Sequence, residues 1–375
     1  MKDFIPQIEP WIDESELLQL RRVIESTYVT ENKLTEEFES LIRDLTGAKY
    51  AVSLMNGTVA LFCCLKALGI GSGDEVIVPN LTFIATANAV LMAGAKPIFC
   101  EVKEDTLCMD YESVKTLINK NTKAIMPVHL YGQSADMEEL TKVARDNGLK
   151  IVEDSAQGVG VMFGGKHVGT FGEFGILSFY GNKTITCGEG GVVLTNNKHL
   201  KDTIYRLKNH GRLTKGTFRH SHIGFNFSFT EMQAAIGISQ MHKLPKIIEK
   251  KKNIHDFYCE GLKPLCREIE PIYLDHRTTP VWWFTSFLCD KKEGLKKFLF
   301  NKGIQTRDFF YPLHLQPCYK NFNYNISYQV SEDSYKRGIS LPSSYHLTLE
   351  QQKYIISCIY EFYGVENDTF GKRHY

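Results

Sequence analysis

A lysine and a carboxylate each follow an apolar, strand-like run in the middle of the chain. The run KIVED ends on Asp154, and the run GILSFY leads directly to Lys183, just before the glycine-rich stretch CGEGG. A lysine amine attacks an aldehyde once burial and nearby positive charge lower its pKa. A carboxylate keeps a basic ring nitrogen protonated. The two residues therefore suit a cofactor that carries both an aldehyde and a basic ring nitrogen.

Pyridoxal phosphate (PLP) carries both groups and a phosphate dianion as well. Helix N-termini bind phosphate, and the stretch MNGTVALF begins a predicted helix at Gly57 and Thr58. Ser178 adds a hydroxyl group, and Phe83, which follows another strand, could cover one face of the ring. We therefore predict PLP as the cofactor.

Each of these residues also has a structural alternative. Taken alone, Lys183 would be a solvated loop lysine, Asp154 would cap a turn, and Gly57 with Thr58 would only begin a helix. The stretch GIGSGDE resembles a dinucleotide-binding pattern but follows a helix and precedes a strand, which is the reverse of the required order. A GxxxxGK[ST] loop is absent from the sequence, which argues against an NTPase.

The elements that must position these residues alternate between strands and helices. Apolar runs such as DEVIVP and KPIFCEV are separated by amphipathic helical stretches, which predicts an α/β fold with a mostly parallel sheet covered on both faces. Ligands bind at the carboxyl ends of strands in such sheets. After residue 170 come two close strands and a helix that we expect to be broken or kinked near Pro245. We predict a large PLP-binding domain over residues 1–240 and a smaller C-terminal α/β domain over 241–375.

Composition excludes several other classes of protein. The chain has 44 Lys and Arg against 43 Asp and Glu, so its charge balance gives no reason to expect nucleic-acid binding. Its ten cysteines are scattered without a CxxC pair, which favours reduced core thiols over disulfides or a metal site. It has no signal-like or membrane-spanning apolar run, so we expect a cytoplasmic protein without a membrane segment.

Longer motifs resemble the DegT-type nucleotide-sugar aminotransferases, which are PLP enzymes of fold type I. These motifs are NGTVAL, GDEVIVPNLTFIATANAV, AIMPVHLYGQSADM, VEDSAQ, SFYGNKTITCGEGG and GFNFSFTEMQAAIGISQ. The likeness runs in order from ESTYVTENK to RGISLPSS. Within the family, FYGNKTIT, RDFFYPLHLQP and GISLPSS most resemble the perosamine-synthase branch. That branch aminates C4 of a nucleotide-linked 4-keto-6-deoxyhexose, and the resemblance implies the same reaction here with glutamate as the expected amino donor.

The resemblance also implies roles for individual residues. Lys183 stands at the position of the Schiff-base lysine that also transfers the proton, Asp154 at the pyridinium partner and Gln157 at the ring hydroxyl. The implied phosphate and ring-stacking positions are Gly57, Thr58, Ser178 and Phe83. Asn226 stands where the neighbouring subunit reaches the phosphate, which implies a homodimer with shared active sites. The implied contacts to the sugar nucleotide are Thr30, Asn32, Arg307 and His314.

Two departures from the family pattern leave the sugar nucleotide open. The perosamine branch usually has an acid where this chain has Gln157, and Ser228 stands where an arginine is expected. The nucleotide could be GDP, UDP or dTDP, and amination at C3 is an alternative to C4. A PLP-dependent sugar dehydratase is a further alternative, although such relatives carry histidine in place of Lys183. A non-catalytic PLP-fold regulator would lack Lys183 or Asp154.

Overall fold

The computed structural model describes residues 4–214, 216, 218–322 and 326–365. Its helices are α1 (Glu14–Ser26), α2 (Lys33–Thr46), α3 (Gly57–Ala67), α4 (Ala85–Met92), α5 (Tyr111–Leu117), α6 (Met137–Asp146), α7 (Lys198–Lys208), α8 (Glu231–Leu262), α9 (Lys292–Asn301), α10 (Gln329–Arg337) and α11 (Leu349–Tyr363). Its strands are β1 (Tyr50–Leu54), β2 (Glu75–Pro79), β3 (Lys96–Cys100), β4 (Thr122–Ile125), β5 (Lys150–Asp154), β6 (Met162–Phe163), β7 (Lys166–His167), β8 (Phe174–Ser178), β9 (Gly191–Thr195), β10 (Ile269–Pro271), β11 (Thr278–Thr279), β12 (Thr285–Cys289), β13 (Arg307–Asp308) and β14 (Gly338–Leu341).

Seven strands form the main sheet in the order β1-β9-β8-β5-β4-β2-β3. Neighbouring strands from β3 to β8 are parallel, whereas β9 runs antiparallel to both β8 and β1. The predicted mostly parallel sheet is therefore confirmed. Its parallel strands are almost entirely buried, as expected when helices cover both faces. The carboxyl ends of β5 and β8, which carry Asp154 and Ser178, lie side by side at one edge.

Helix α3 covers the sheet next to this edge and begins at the predicted place. Asn56 is its N-cap, and the Asn56 side chain accepts a hydrogen bond of 3.0 Å from the Val59 N–H. The helix is apolar on almost all sides and packs among the buried residues of the sheet, which include Phe174 and Ile176. This packing fixes the helix N-terminus beside the end of β8.

Strand β9 reverses direction because the chain turns back after β8 through residues 179–190. The Phe179 N–H donates to the Gly190 carbonyl at 2.9 Å, and the Cys187 N–H donates to the Phe179 carbonyl at 2.9 Å. Gly191 ends this turn in contact with α3, and a Cβ there would collide with the main chain of Asn56. Glycine is needed at this position because two main-chain segments approach each other closely.

The C-terminal region contains a second, antiparallel sheet in the order β10-β12-β14-β13. Helices α9 and α11 and the C-terminal half of α8 pack on it around a separate cluster of buried apolar residues. A third sheet of short strands, β11-β6-β7, is also antiparallel. The predicted α/β character of the C-terminal region is therefore confirmed, whereas its boundary at residue 240/241 stays a prediction and falls inside α8.

The structure differs from the simplest interpretation of the sequence pattern in two places. Helix α8 continues as one helix from Glu231 to Leu262, so the expected break at Pro245 is absent, and Leu244 and Ile247 beside the proline are buried in the core; the kink expected as the alternative to a break stays a prediction. The stretch VWWFTSFLC becomes strand only from Thr285 onward. Residues 281–284 before it form an irregular segment that reaches the functional site.

Three further observations concern the cysteines, the possible metal ligands and the lengths of the apolar helices. All ten cysteines are free thiols. Among the residues that the structure describes, no cluster of His, Cys, Asp and Glu side chains could hold a metal ion. No helix in the described ranges has the length and apolarity needed to cross a bilayer.

Candidate active site

A pocket of about 390 Å³ opens at the carboxyl ends of β5 and β8. The predicted site residues that line it are Gly57, Thr58, Phe83, Asp154, Gln157, Ser178, Lys183 and Arg307. They come from six separate stretches of the chain, which the sheet brings to one edge. The other predicted residues, Thr30, Asn32, Asn226 and His314, do not line this pocket.

Asp154 is a buried carboxylate at the base of the pocket, with 5% of its surface exposed. Its Oδ2 accepts a hydrogen bond of 2.8 Å from the Thr86 hydroxyl, and its Oδ1 accepts one of 3.2 Å from the Ala156 N–H. Burial raises the pKa of Asp154, and the hydrogen bonds and the positive charge of Lys183 oppose that rise. A cationic group bound against this carboxylate would therefore stabilise its ionised form.

Lys183 lies in the turn between β8 and β9, where its N–H donates to the Tyr180 carbonyl at 2.9 Å. Its Nζ lies 4.3 Å from the centre of the Trp283 ring. Burial lowers the pKa of Lys183 to about 8, the charge of Asp154 opposes the decrease, and the charge of Arg307 adds to it. The neutral fraction of this amine near neutral pH is thus larger than that of a solvated lysine, which favours a nucleophilic role.

The N-terminus of α3 forms an anion site next to Ser178. The Asn56 side chain accepts from the Val59 N–H, and the Asn56 carbonyl accepts from the Ala60 N–H, which leaves the N–H groups of Gly57 and Thr58 for a ligand. A Cβ on Gly57 would lie 3.3 Å from the Ser178 Cβ, so glycine allows close approach of the helix to the strand end. This arrangement suits a phosphate group.

Gln157 occupies the wall of the pocket with a defined orientation. Its Oε1 accepts a hydrogen bond of 2.7 Å from the Tyr131 N–H, so its amide NH₂ is the group that remains for a ligand. Tyr131 adopts a left-handed backbone with φ of 53°, and its hydroxyl accepts a hydrogen bond of 3.0 Å from the Phe310 N–H. Tyr131 therefore connects Gln157 with the segment that follows β13.

Arg307 places a guanidinium at the pocket, 5.1 Å from the centre of the Phe284 ring. Within the described part of the chain no carboxylate pairs with it, and burial lowers its pKa. An unpaired arginine in a pocket suits a carboxylate or a phosphate of a substrate.

His314 lies outside the pocket lining and is hydrogen-bonded on both ring nitrogens. Its Nδ1 lies 2.8 Å from the Asn80 amide nitrogen, and its Nε2 lies 3.4 Å from a carboxylate oxygen of Glu332. The ring also packs on Tyr328 with centroids 4.5 Å apart. These contacts are those of a histidine with a structural role, and its contact with a substrate stays a prediction.

Thr30, Asn32 and Asn226 lie on the surface or at element ends rather than in the pocket. Thr30 forms a single bridge to Thr230, and the Asn32 N–H donates to a Glu231 carboxylate oxygen at 2.7 Å. Asn226 is exposed, and its main chain forms a bridge with Asn209. The roles assigned to these residues by resemblance stay predictions.

Sequence reasoning missed three residues that shape the site, namely Thr86, Trp283 and Phe310. Thr86 follows Phe83 by three positions, so a helical reading of TFIATANAV could have placed both at one pocket. Trp283 gave no such signal, because it lies in a stretch that reads as a buried strand and because it is far from Lys183 in the sequence.

Comparisons with known proteins agree with this geometry. The profile of the DegT/DnrJ/EryC1/StrS aminotransferase family matches residues 10–360. The chain belongs to this aminotransferase family. It is 38% identical over 366 residues to the GDP-perosamine synthase of Vibrio cholerae, an alignment that covers 96% of this chain and 99% of the relative. The resemblance inferred from the motifs is confirmed.

Solved structures of family members have the same fold. The structure of S. venezuelae DesV in complex with a ketimine intermediate matches this aminotransferase with a TM-score of 0.91 at 31% identity, covering 96% of this chain and 99% of DesV. The PLP form of Spr1654 from Streptococcus pneumoniae matches with a TM-score of 0.90 at 26% identity, covering 96% and 98% of the two chains. The predicted fold class and enzyme class are confirmed, and PLP is the cofactor.

The pocket residues fit PLP by their chemistry. A lysine with a lowered pKa matches the aldehyde, a buried carboxylate that lacks a full cationic partner matches the ring nitrogen, and free N–H groups at a helix start match the phosphate. Phe83 is available beside the pocket for the face of the ring. The amide NH₂ of Gln157 suits the ring hydroxyl oxygen.

Proposed function

We propose that this aminotransferase moves an amino group from glutamate to C4 of a GDP-linked 4-keto-6-deoxyhexose and so makes GDP-perosamine. The observation that carries the proposal is the presence of Lys183, with its lowered pKa, and buried Asp154 in one pocket at the strand ends. The similarity to the GDP-perosamine synthase of Vibrio cholerae supports GDP as the nucleotide and C4 as the acceptor carbon.

Lys183 and Asp154 divide the chemistry between them. PLP, when bound, accepts electron density from the carbon that bears the transferred amine. Asp154 holds the proton on the ring nitrogen, because a buried carboxylate is stabilised by a cation beside it. The Nζ of Lys183 is the base that removes a proton from the amine-bearing carbon of the donor and returns one to C4 of the sugar.

Surrounding residues hold the substrates and exclude water. Gly57, Thr58 and Ser178 hold the phosphate of the cofactor, and the ring of Trp283 limits the freedom of the Lys183 amine. Arg307 binds an anionic group of a substrate, since it is a cation without a described partner. Glutamate and a sugar nucleotide both carry such groups, and each occupies the pocket in one half of the reaction.

We also propose that the enzyme works as a homodimer with shared sites. Asn226 is outside the pocket of its own chain and lies in a surface segment with strongly exposed apolar side chains. Phe218 is 91% exposed and Ile223 is 87% exposed in this segment. Apolar surface of this kind favours a protein interface, and a second copy of the chain would bring Asn226 to the phosphate of its partner.

A substrate panel tests the proposed reaction. The enzyme is incubated with nitrogen-15-labelled glutamate and with GDP-, UDP- or dTDP-linked 4-keto-6-deoxyhexoses, and the products are identified by mass spectrometry and NMR. We expect the label on C4 of the GDP-linked sugar and no product with Lys183→Ala. Labelled product at C3, or turnover only with UDP or dTDP sugars, would contradict the proposal.

A further inference from the structure

A buried lysine on helix α8 contacts the active-site region without belonging to the pocket. Lys251 is 3% exposed, and its Nζ donates to the main-chain carbonyls of Trp283 at 2.9 Å and Ser343 at 3.2 Å. Among the described residues no carboxylate pairs with this ammonium group. Burial lowers the pKa of Lys251 to about 7, which reflects the cost of holding this charge away from water.

The main chain that Lys251 holds carries three contacts to the active site. The ring of Trp283 lies 4.3 Å from Lys183 Nζ, and its Nε1 donates to the Asn182 carbonyl at 2.7 Å. The next residue, Phe284, packs under the guanidinium of Arg307 at 5.1 Å. A shift of the Trp283 main chain would therefore move the indole and, through its hydrogen bond with Asn182, the lysine-bearing turn, whereas the Phe284 ring is held separately in the core.

Residues 281–284 are buried in the core, but their main chain lacks the regular hydrogen-bond ladder of a strand. The Val281 N–H donates to the Gly132 carbonyl at 3.0 Å, and the ladder of β12 begins only at Thr285. Helix α8 is a rigid support by comparison, since it spans 32 residues and begins with a capping box. Through its two carbonyl acceptors, Lys251 connects helix α8 to residues 281–284 and to the turn after β14.

We propose that Lys251 is a positioning residue for transamination, which fixes the main chain of Trp283 and thereby orients the indole over the Lys183 amine. The inference rests on one part of the proposed function, namely that Lys183 supplies the reacting amine. Lys251 does not touch the pocket, so it acts through Trp283. Misplacement of a reacting group by about 1 Å costs up to about 100-fold in rate, so removing this support is expected to lower kcat.

Lys243 on the same helix provides a matched control. It is also buried, but its Nζ lies 2.7 Å from a Glu16 carboxylate oxygen and 2.8 Å from an Asp13 oxygen, and its contacts are in the N-terminal region. Lys243→Met removes a buried ammonium from α8 without touching residues 281–284. Loss of stability is expected for this variant, with little change in kcat of the folded holoenzyme.

The test compares Lys251→Met, Lys251→Arg and Lys243→Met as holoenzymes of equal PLP content. We expect Lys251→Met to lower kcat about tenfold or more, with KM for glutamate and for the sugar nucleotide unchanged within about twofold. Lys251→Arg retains donors for both carbonyls and should recover most of the activity. If Lys251→Met does not fold, Lys251→Gln, which keeps one donor group, is measured in its place.

A double-mutant cycle with Trp283→Phe decides whether Lys251 acts through the indole. Once the indole is gone, Lys251→Met should cause no further loss of kcat, so the two effects should be strongly non-additive. Additive losses, or an equal loss in Lys243→Met, or wild-type kcat in Lys251→Met, would overturn the inference. Activity of Lys183→Ala would instead refute the proposed function, so the two failures are distinguishable.

Discussion

The pKa of Lys183 makes a quantitative prediction about how the apoenzyme takes up PLP. A lysine with its ordinary pKa of 10.5 is about 0.03% neutral at pH 7, whereas one with a pKa of about 8 is about 9% neutral. The reactive fraction is thus about 300-fold larger than for a solvated lysine at this pH. Burial is the main cause, and the positive charge of Arg307 contributes.

Stopped-flow mixing of apoenzyme with PLP measures this fraction. The rate of the absorbance change is recorded from about pH 6 to pH 10 and divided by the rate for Nα-acetyllysine expressed per neutral amine, which removes the ionisations of PLP itself. We expect the apparent pKa near 8, and we expect Arg307→Met to raise it because a cation beside the amine is lost. Lys183→Ala should show only non-covalent binding.

The outcome that would refute this reasoning is a rate with no plateau. If the rate rose about tenfold per pH unit through pH 9, the amine would have its ordinary pKa and would not be buried in the pocket. An Arg307→Met variant with a lower apparent pKa would show that the guanidinium does not act on Lys183 as the structure indicates.

Three further predictions concern the residues around the cofactor. Thr86→Val removes the hydroxyl that donates to Asp154, so the pKa of Asp154 should rise and PLP should bind about tenfold more weakly; wild-type affinity in a fluorescence titration would contradict this. Asp154→Asn should lower kcat by about 100-fold or more and lower the apparent pKa of Lys183, because the negative charge that raises it is gone; pH profiles of PLP uptake check the second effect. Asn226→Ala should weaken PLP binding, and mixed dimers with Lys183→Ala chains should regain activity in one site of two; mixed dimers without activity would contradict site sharing.

Much of the site could be predicted from the sequence because it depends on local rules. The apolar runs before Asp154 and Lys183 mark strands, and parallel strands place their carboxyl ends at one edge. The helix start at Gly57 follows from Asn56 as N-cap and from the apolar residues behind it. These three signals together predict that the residues facing the aldehyde, the ring nitrogen and the phosphate of PLP share one pocket.

The remaining features depend on contacts between distant parts of the chain. Trp283 lies about one hundred residues from Asn182, with which it forms a hydrogen bond, and no periodicity in its own segment indicates this. Tyr131 adopts φ of 53°, a backbone conformation that a bulky aromatic residue rarely takes and that sequence rules assign to glycine. Helix α8 passes through Pro245 because tertiary packing on both sides of the proline outweighs its local cost.

The motif around His314 does not decide by itself between contact with a substrate and a packing role. The stretch YPLHLQP places a histidine beside the substrate by resemblance, but the structure puts its ring between Asn80 and Glu332. A histidine with both nitrogens bound is more readily explained by packing of the segment after β13. The contribution of this residue to substrate binding is therefore best measured separately from that of Arg307.

The most direct measurement for the central claim is the identification of the residue that PLP modifies. The holoenzyme is reduced with borohydride, digested and analysed by peptide mass spectrometry. If Lys183 forms the covalent bond with PLP, we expect the pyridoxyl group on Lys183, in the peptide that contains YGNKTITCGEGG. A pyridoxyl group on another lysine, with Lys183 unmodified in an active preparation, would contradict it.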